Sequence, residues 1–155
     1  MLTIASLRAL EILDSRGRPT LETTLTLSDG ASGSAQVPSG ASTGHHEALE
    51  RRDGDPARYA GLGVLHAAAA VEGEIARALH GLPAEPAAVD RLLVELDGTP
   101  GKSRLGANAL LGASCALARA LAASRRQPLW RILAAYGRQP RQPSLPVPMI
   151  NILSG

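Results

Sequence analysis

The residues of this chain best suited to chemistry lie in the run VPSGASTG, residues 37–44. Ser39, Ser42 and Thr43 carry hydroxyls, and two glycines flank them. Glycine allows the backbone to come close to a ligand, and hydroxyl and carbonyl oxygens are donors that suit Mg²⁺. An isolated run of this kind is usually an ordinary connector. The rest of the sequence has to decide between a connector and a ligand-binding loop.

Two other motifs suggest ligand sites but fail on spacing. Residues 101–103 (GKS) end like a phosphate-binding loop, but Leu96 stands where that loop needs its first glycine, and a helical pattern precedes it. His45 and His46 are adjacent, so on a helix or a strand they point in different directions. No Cys or Asp lies at zinc-ligand spacing from the other two histidines. The sequence therefore predicts neither a phosphate-binding loop nor a zinc site.

The charge balance argues against a nucleic-acid partner. Sixteen basic and 14 acidic residues leave a formal net charge of +2, with a sequence pI near 9.2. Arg125, Arg126 and Arg131, with Trp130, form the one local basic cluster, which we expect on a solvated helix end. No basic run interleaves with aromatic residues. We therefore expect no nucleic-acid partner and, without an apolar run of membrane length, no membrane partner.

The single cysteine points to a cytoplasmic protein. Cys115 has no partner for a disulfide, and no charged-then-apolar leader is present. It lies at an apolar helix position between Leu111 and Leu117, so we expect a thiol buried in the core rather than a nucleophile. These features together predict a cytoplasmic location.

The first third of the chain has the pattern of an antiparallel sheet. Apolar and polar residues alternate over 21–27 and again over 31–37, the period of half-buried strands. Asp29-Gly30 between them suits a tight hairpin turn. Residues 2–13 form a less regular strand candidate. We predict three strands in a meander.

The middle of the chain has helical patterns. One helical face carries Val64, Ala68, Val71, Ile75 and Leu79, and Gly73 within it predicts close packing. The predicted helices cover about 47–52, 64–79, the region from Pro86 to Leu96, 107–124 and 128–137. Strands followed by helices without alternation indicate an α+β domain, here a three-stranded antiparallel meander followed by four to five helices.

The last residues differ in composition from the rest. Residues 138–148 contain four prolines and are typical of a linker. Val147–Leu153 is mostly apolar and predicts a further strand that lacks a partner in this chain. We therefore divide the chain into an α+β domain, 1–137, and a linker with one strand, 138–155.

Several segments, in this order and spacing, carry a resemblance to a known family. The chain resembles the N-terminal domain of enolase (phosphopyruvate hydratase) from about Leu2 to Gly155. The segments are Asp14–Thr20, the loop Ser39-Gly40-Ala41-Ser42-Thr43-Gly44, Glu47–Asp55, Leu96–Thr99, Lys102–Ala109 and Leu145–Ile152. Each segment alone is weak, and their register over the whole length makes the match strong.

The resemblance implies a role for this chain in the Mg²⁺-dependent dehydration of 2-phosphoglycerate to phosphoenolpyruvate. It implies that residues 39–44 form the loop that closes over substrate, and that Ser42 binds the second, substrate-dependent Mg²⁺. The catalytic base, the catalytic acid and the ligands of the first metal belong to the family's barrel domain. A barrel needs roughly 200 residues or more, and no position here matches those groups.

Three departures from the family pattern bear on partners and domain boundary. Leu10 stands where the family usually has an arginine that pairs subunits, which puts the expected homodimer in doubt. Arg18 and Ser154 each replace an asparagine. Two hypotheses follow: the chain is the N-terminal portion of an enolase, or it is a stand-alone enolase-like binding or scaffold module without catalysis.

Overall fold

A three-stranded antiparallel sheet forms the first layer of the domain. The computed structural model describes residues 1–40, 44, 46–137, 144–150 and 152. Strands β1 (Ile4–Leu13), β2 (Pro19–Leu27) and β3 (Ser32–Val37) lie in the order β1-β2-β3. Gly30, with φ of +85°, makes the β2–β3 turn that Asp29-Gly30 predicts. The predicted meander is confirmed.

Helices form the second layer. They are α1 (Leu65–Ala70), which continues through a π-helical turn (Val71–Ile75) into α2 (Ala76–Leu79), then α3 (Pro86–Asp97), α4 (Ala107–Ser124) and α5 (Leu129–Ala134). Helix α3 shows why the boundaries fall where they do. The Glu85 carboxylate accepts hydrogen bonds from the first free N–H groups, and Gly98 ends the helix at φ +70°. The predicted α+β class is confirmed.

Helix α4 lies at the centre of the core and packs against β2 and β3. Ala109, Ala113, Ala116 and Ala120 are fully buried on its inner face. By length and composition this helix would suffice to span a membrane, yet 56% of its residues are buried inside the domain. Because its apolar face covers the sheet, the hydropathy of α4 reflects its place in the core.

Glycine brings α4 and the sheet into backbone contact. A Cβ on Gly33 of β3 would lie 2.2 Å from the Ala120 nitrogen. A Cβ on Gly112 of α4 would lie 2.4 Å from the Thr23 hydroxyl of β2, which is buried and has no hydrogen-bond partner in the described structure. These contacts leave no room for a side chain on either glycine.

The structure corrects two expectations about single residues. A Cβ on Gly73 would meet no atom within 4 Å, so this glycine does not mark close packing. Cys115 is exposed rather than buried, because it lies with Leu111 and Arg119 on an exposed stripe of α4. The flanking leucines misled the prediction, since Leu117 faces the core and Leu111 faces outward.

One predicted helix is wrong, and one predicted strand is not formed by the described residues. The segment predicted as a helix over 47–52 forms no helix, for reasons given with the site below. The strand predicted over Val147–Leu153 is not formed by its described residues, 147–150 and 152, whose apolar side chains are 79–98% exposed. A strand needs a neighbour for its backbone hydrogen bonds, and the described part of the sheet provides none here.

We predict that Gly33→Ala destabilises the domain, whereas Gly73→Ala stabilises it. The added methyl at position 33 meets the α4 backbone, which has no rotamer with which to yield, so we expect a loss of about 3 kcal/mol. At position 73 the methyl enters open space in a helical turn, where alanine is better than glycine by about 0.5–1 kcal/mol. Urea unfolding of both variants tests this, and equal shifts in the same direction would contradict it.

Candidate functional site

The candidate loop begins beside a hollow of about 470 Å³. Val37, the last residue of β3, and residues 38–40 after it line one wall, and residues 47–50 line the second. The third wall is the start of α4, with Asn108 and Leu111. The sheet and α4 therefore place the start of the Ser/Gly loop at the edge of a concave surface, where ligand sites commonly occur.

Two carboxylates hold the described ends of the loop. The Ser39 hydroxyl donates a 2.8 Å hydrogen bond to Glu50, and the Gly44 N–H donates a 2.7 Å bond to Glu47. Gly40 lines the hollow. The remaining residues predicted for the site, Ala41, Ser42 and Thr43, lie outside the described residues. The structure thus brings Ser39 and Gly44 to two neighbouring carboxylates that the sequence alone did not single out.

An arginine fixes Glu50 and compensates its charge. Arg52 donates a 2.8 Å bond to Glu50 and further bonds of 2.7 and 2.5 Å to the carbonyls of Pro19 and Leu62. The guanidinium therefore joins the start of β2, the backbone at Leu62 and the Glu50 carboxylate that holds Ser39. Because it presents several donors in one rigid plane, a lysine could not make the same set of bonds.

Backbone pairing keeps residues 49–51 extended. The Leu49 N–H donates to the Gly101 carbonyl at 2.7 Å, and the Leu49 carbonyl accepts from the Ala107 N–H at 2.8 Å. Asn108, 2% exposed, accepts from the Arg51 N–H at 3.1 Å and donates to the Arg51 carbonyl at 3.2 Å. These partners satisfy the backbone groups that a helix would have used, which is why the predicted helix is absent.

Asp53, the next residue of the segment, and Glu11 on β1 both hold the start of α1. Asp53 accepts bonds of 2.9 Å from the N–H groups of Leu65 and His66, and Glu11 accepts one of 2.7 Å from Val64. A carboxylate is favourable at a helix N-terminus because free N–H groups and the helix dipole converge there.

The pKa values of both carboxyls are lowered. A bidentate hydrogen bond from Arg58 is the main cause of the lowered pKa of Glu11. Burial alone would raise the pKa of Asp53, but the backbone N–H groups of His66 and Leu65 outweigh it. Both carboxylates are therefore stabilised in their ionised form.

The Asp97-Gly98-Thr99 segment is the carboxylate turn that its sequence suggests. Buried Asp97 accepts the Thr99 N–H at 3.0 Å and the Leu105 N–H at 2.8 Å. The Lys102 amine donates to the Thr99 carbonyl at 3.2 Å, and the GKS segment follows α3. This placement agrees with its rejection as a phosphate-binding loop.

The described residues do not form a metal centre by themselves. No group of three or more His, Cys, Asp or Glu side chains among them is arranged to hold a metal ion. Glu47 and Glu50 are engaged by Gly44 and Ser39. The sequence missed Glu50, Arg52 and Asn108 as site residues, because the signal that marks them is their pairing across the fold.

Comparison with known protein families supports the resemblance noted in the sequence. The family described as "Enolase, N-terminal domain" matches residues 4–133. The match includes all three strands, helices α1 to α4, most of α5 and the whole hollow beside the Ser/Gly loop.

We predict that stability falls as the pH drops below about 4.5 and that Glu11→Gln makes this dependence shallower. The pKa values of Glu11 and Asp53 lie below their ordinary values of 4.5 and 3.8. Their full contribution to the free energy of unfolding is therefore present when the pH is above those ordinary values. It is lost as the pH falls through the folded-state pKa values, where the unfolded chain binds more protons.

Urea midpoints at neutral pH and at pH about 3.5 measure this difference. Glu95→Gln is the matched control, because Glu95 lies exposed on α3 and makes no side-chain hydrogen bond in the described structure. The expectation fails if Glu11→Gln leaves the pH dependence as steep as in the control.

Proposed function

Because the chain belongs to the enolase N-terminal domain family, we propose that it is the loop-bearing portion of a phosphopyruvate hydratase. The reaction would be the Mg²⁺-dependent removal of water from 2-phosphoglycerate to give phosphoenolpyruvate. The observation that carries the proposal is the family match over 4–133. It is supported by the position of Ser39 and Gly44, each held by a carboxylate beside a hollow.

In this proposal the loop supplies an oxygen donor to the metal. Ser42, with its hydroxyl and carbonyl, is the residue we assign to the second Mg²⁺, and such oxygens suit that ion. When bound, Mg²⁺ stabilises the negative charge that develops on the substrate carboxylate during proton removal. Since the described residues form no cluster of metal ligands, the remaining ligands would come from elsewhere.

Glu47 and Glu50 act on the loop rather than on the substrate. Each accepts a hydrogen bond from one end of the loop, so residues 39–44 are attached at both sides to the same extended segment. The substrate is an anion, and an uncompensated carboxylate near it would be repulsive. Arg52, 2.8 Å from Glu50, reduces that repulsion. Loop closure over the substrate would then exclude water from the reacting atoms.

Two expected properties of the whole protein also belong to the proposal. We place it in the cytoplasm, and we propose that it pairs with a second copy less readily than relatives with an arginine at position 10. Leu10 is 62% exposed and lies across from Glu22 in the β1–β2 register. A leucine there offers no ion pair to a second subunit.

We predict that the 155-residue chain alone does not interconvert 2-phosphoglycerate and phosphoenolpyruvate. The reaction needs a base, an acid and carboxylates for the first metal, and the chain has no positions that match those of the family. A coupled assay of the purified chain, with and without Mg²⁺, measures this. Mg²⁺-dependent turnover above that of a mock preparation would show that these groups are present here.

In a protein that carries this chain together with a barrel domain, we predict that Ser42→Ala lowers kcat with little effect on folding. Loss of one oxygen ligand from a metal that stabilises the transition state should cost about 2–4 kcal/mol of activation energy, by analogy with one oxyanion donor. A change in a polar loop should cost under about 0.5 kcal/mol of stability. The backbone carbonyl of residue 42 remains, so Mg²⁺ binding should weaken rather than vanish.

A Mg²⁺ titration of kcat beside a thermal melt distinguishes these effects. Ser32→Ala on β3 is the control, because it removes an exposed hydroxyl away from the loop. Wild-type kcat of Ser42→Ala at saturating Mg²⁺ would remove Ser42 from the site. A large fall in Tm would instead make its role structural.

A further inference from the structure

The small net charge of the chain conceals a strong separation of charge along the sequence. Residues 1–97 contain eight basic and all 14 acidic residues, whereas residues 98–155 contain eight basic residues and no acidic one. A charge asymmetry of this kind is a signature of an anionic partner. The expectation of no nucleic-acid partner rested on the mixing of basic with acidic residues and on the lack of a basic run interleaved with aromatic residues, and it did not consider this separation along the sequence.

Two of the basic residues after position 97 have partners inside the fold. Arg104 pairs with Glu74 through two hydrogen bonds of 2.8 Å, and Lys102 donates to the Thr99 carbonyl. By contrast, three arginines at the connection between α4 and α5 are exposed and make no ion pair with a carboxylate of the described residues. They are Arg125, Arg126 and Arg131.

The backbone at this connection is well defined by its hydrogen bonds. The N–H groups of Arg125, Arg126 and Gln127 donate to carbonyls of the last turns of α4, each at 3.0 Å. The Asp29 carboxylate accepts a 2.5 Å bond from the Ser124 hydroxyl, one residue before Arg125. The negative end of the α4 dipole favours arginine here by a fraction of a kcal/mol, which explains neither three arginines nor their aromatic neighbour.

That neighbour is Trp130, the single tryptophan of the chain, which is 49% exposed on α5. The guanidinium carbon of Arg131 lies 5.2 Å from the centroid of its ring. We call Arg125, Arg126, Trp130 and Arg131 the Arg–Trp patch. A guanidinium stacked on an indole presents donors for phosphate next to a flat surface on which a base can stack.

We propose that the Arg–Trp patch binds single-stranded nucleic acid, with the arginines on the phosphates and a base stacked on Trp130. This binding would be independent of the Ser/Gly loop and of the proposed hydratase reaction, because none of the four residues lines the hollow beside the loop.

An anionic membrane fits the same surface less well. About half of each of the side chains of Trp130, Leu133 and Tyr136 is packed against the protein. These side chains are therefore not free to insert into a bilayer. Helix α5 has six residues, with Ile132 buried, and is shorter than helices that lie in a membrane interface. Insertion of the Trp130 ring into hydrocarbon would also carry the Arg131 charge with it.

The experiment uses the fluorescence of Trp130 in the intact chain. A single-stranded pyrimidine oligonucleotide of about fifteen nucleotides is the probe. We expect saturable quenching of the Trp130 fluorescence. The logarithm of the binding constant should fall by about 2 for each tenfold increase in salt concentration, because each of three phosphate contacts contributes about 0.7 to this slope. The same strand with a fluorescent label serves for anisotropy with the variants.

Variants distinguish binding at the Arg–Trp patch from an unspecific effect of the net charge of the protein. Arg125→Gln/Arg126→Gln should reduce the fall in the logarithm of the binding constant to about 0.7 for each tenfold increase in salt concentration, because one phosphate contact remains. Arg8→Gln/Arg77→Gln, with the same change in net charge on β1 and α2, should leave binding unchanged. Trp130→Leu should weaken binding at least about fivefold, while Trp130→Phe, which keeps a ring, should retain most of it.

Three outcomes overturn the proposal. One is the absence of both quenching and anisotropy change at low salt, and another is equal weakening by the two double-arginine variants. The third is a response of Trp130 to vesicles rich in phosphatidylserine, or to polyglutamate, without binding of the oligonucleotide. That result would assign the patch to a bilayer or to an acidic protein instead. A melt of each variant confirms that it is folded.

Discussion

Helix α4 lies against the sheet at backbone contact distance, and the positions of the candidate site residues follow from that contact. Gly33 and Gly112 remove the side chains that would hold the helix away from β3 and β2. Once α4 is seated, its first turn presents Asn108 to the backbone of Arg51. A helix seated farther out would lose these bonds, and the segment that holds the loop would have no fixed partner.

A series of hydrogen bonds connects Asn108 to the ends of the Ser/Gly loop. The pairing of Leu49 with Gly101 and Ala107 keeps its segment extended, and this places Glu50 within reach of Ser39. Arg52 then fixes Glu50 from the other side. Each bond is modest in net energy, but loss of one partner leaves a partly buried polar group unpaired, which is the more costly event. The loop ends are therefore held by a network rather than by one contact.

Carboxylates and arginines have different roles in the two parts of the chain. Before residue 98 the carboxylates mostly accept backbone or arginine hydrogen bonds within the fold, as Glu11 and Asp53 do at the start of α1. After residue 97 no acid is present, so the arginines beyond Arg104 lack nearby sequence partners. Three of them lie at the α4–α5 connection, where Arg131 lies over the Trp130 ring, and none lines the hollow beside the loop.

The strands, most helices and the family were determined by the sequence itself, because hydrophobic periodicity and turn residues act locally. The alternation over 21–27 and the helical pattern over 107–124 were sufficient to identify β2 and α4, and the spaced motifs identified the enolase N-terminal domain. Only the tertiary structure decided what residues 47–52 do. Their local pattern favours a helix, but hydrogen bonds from residues 49 and 51 to partners in residues 101–108 outweigh it. The same holds for Cys115, since which face of α4 meets the sheet depends on the close approach at Gly33 and Gly112 and not on apolar neighbours.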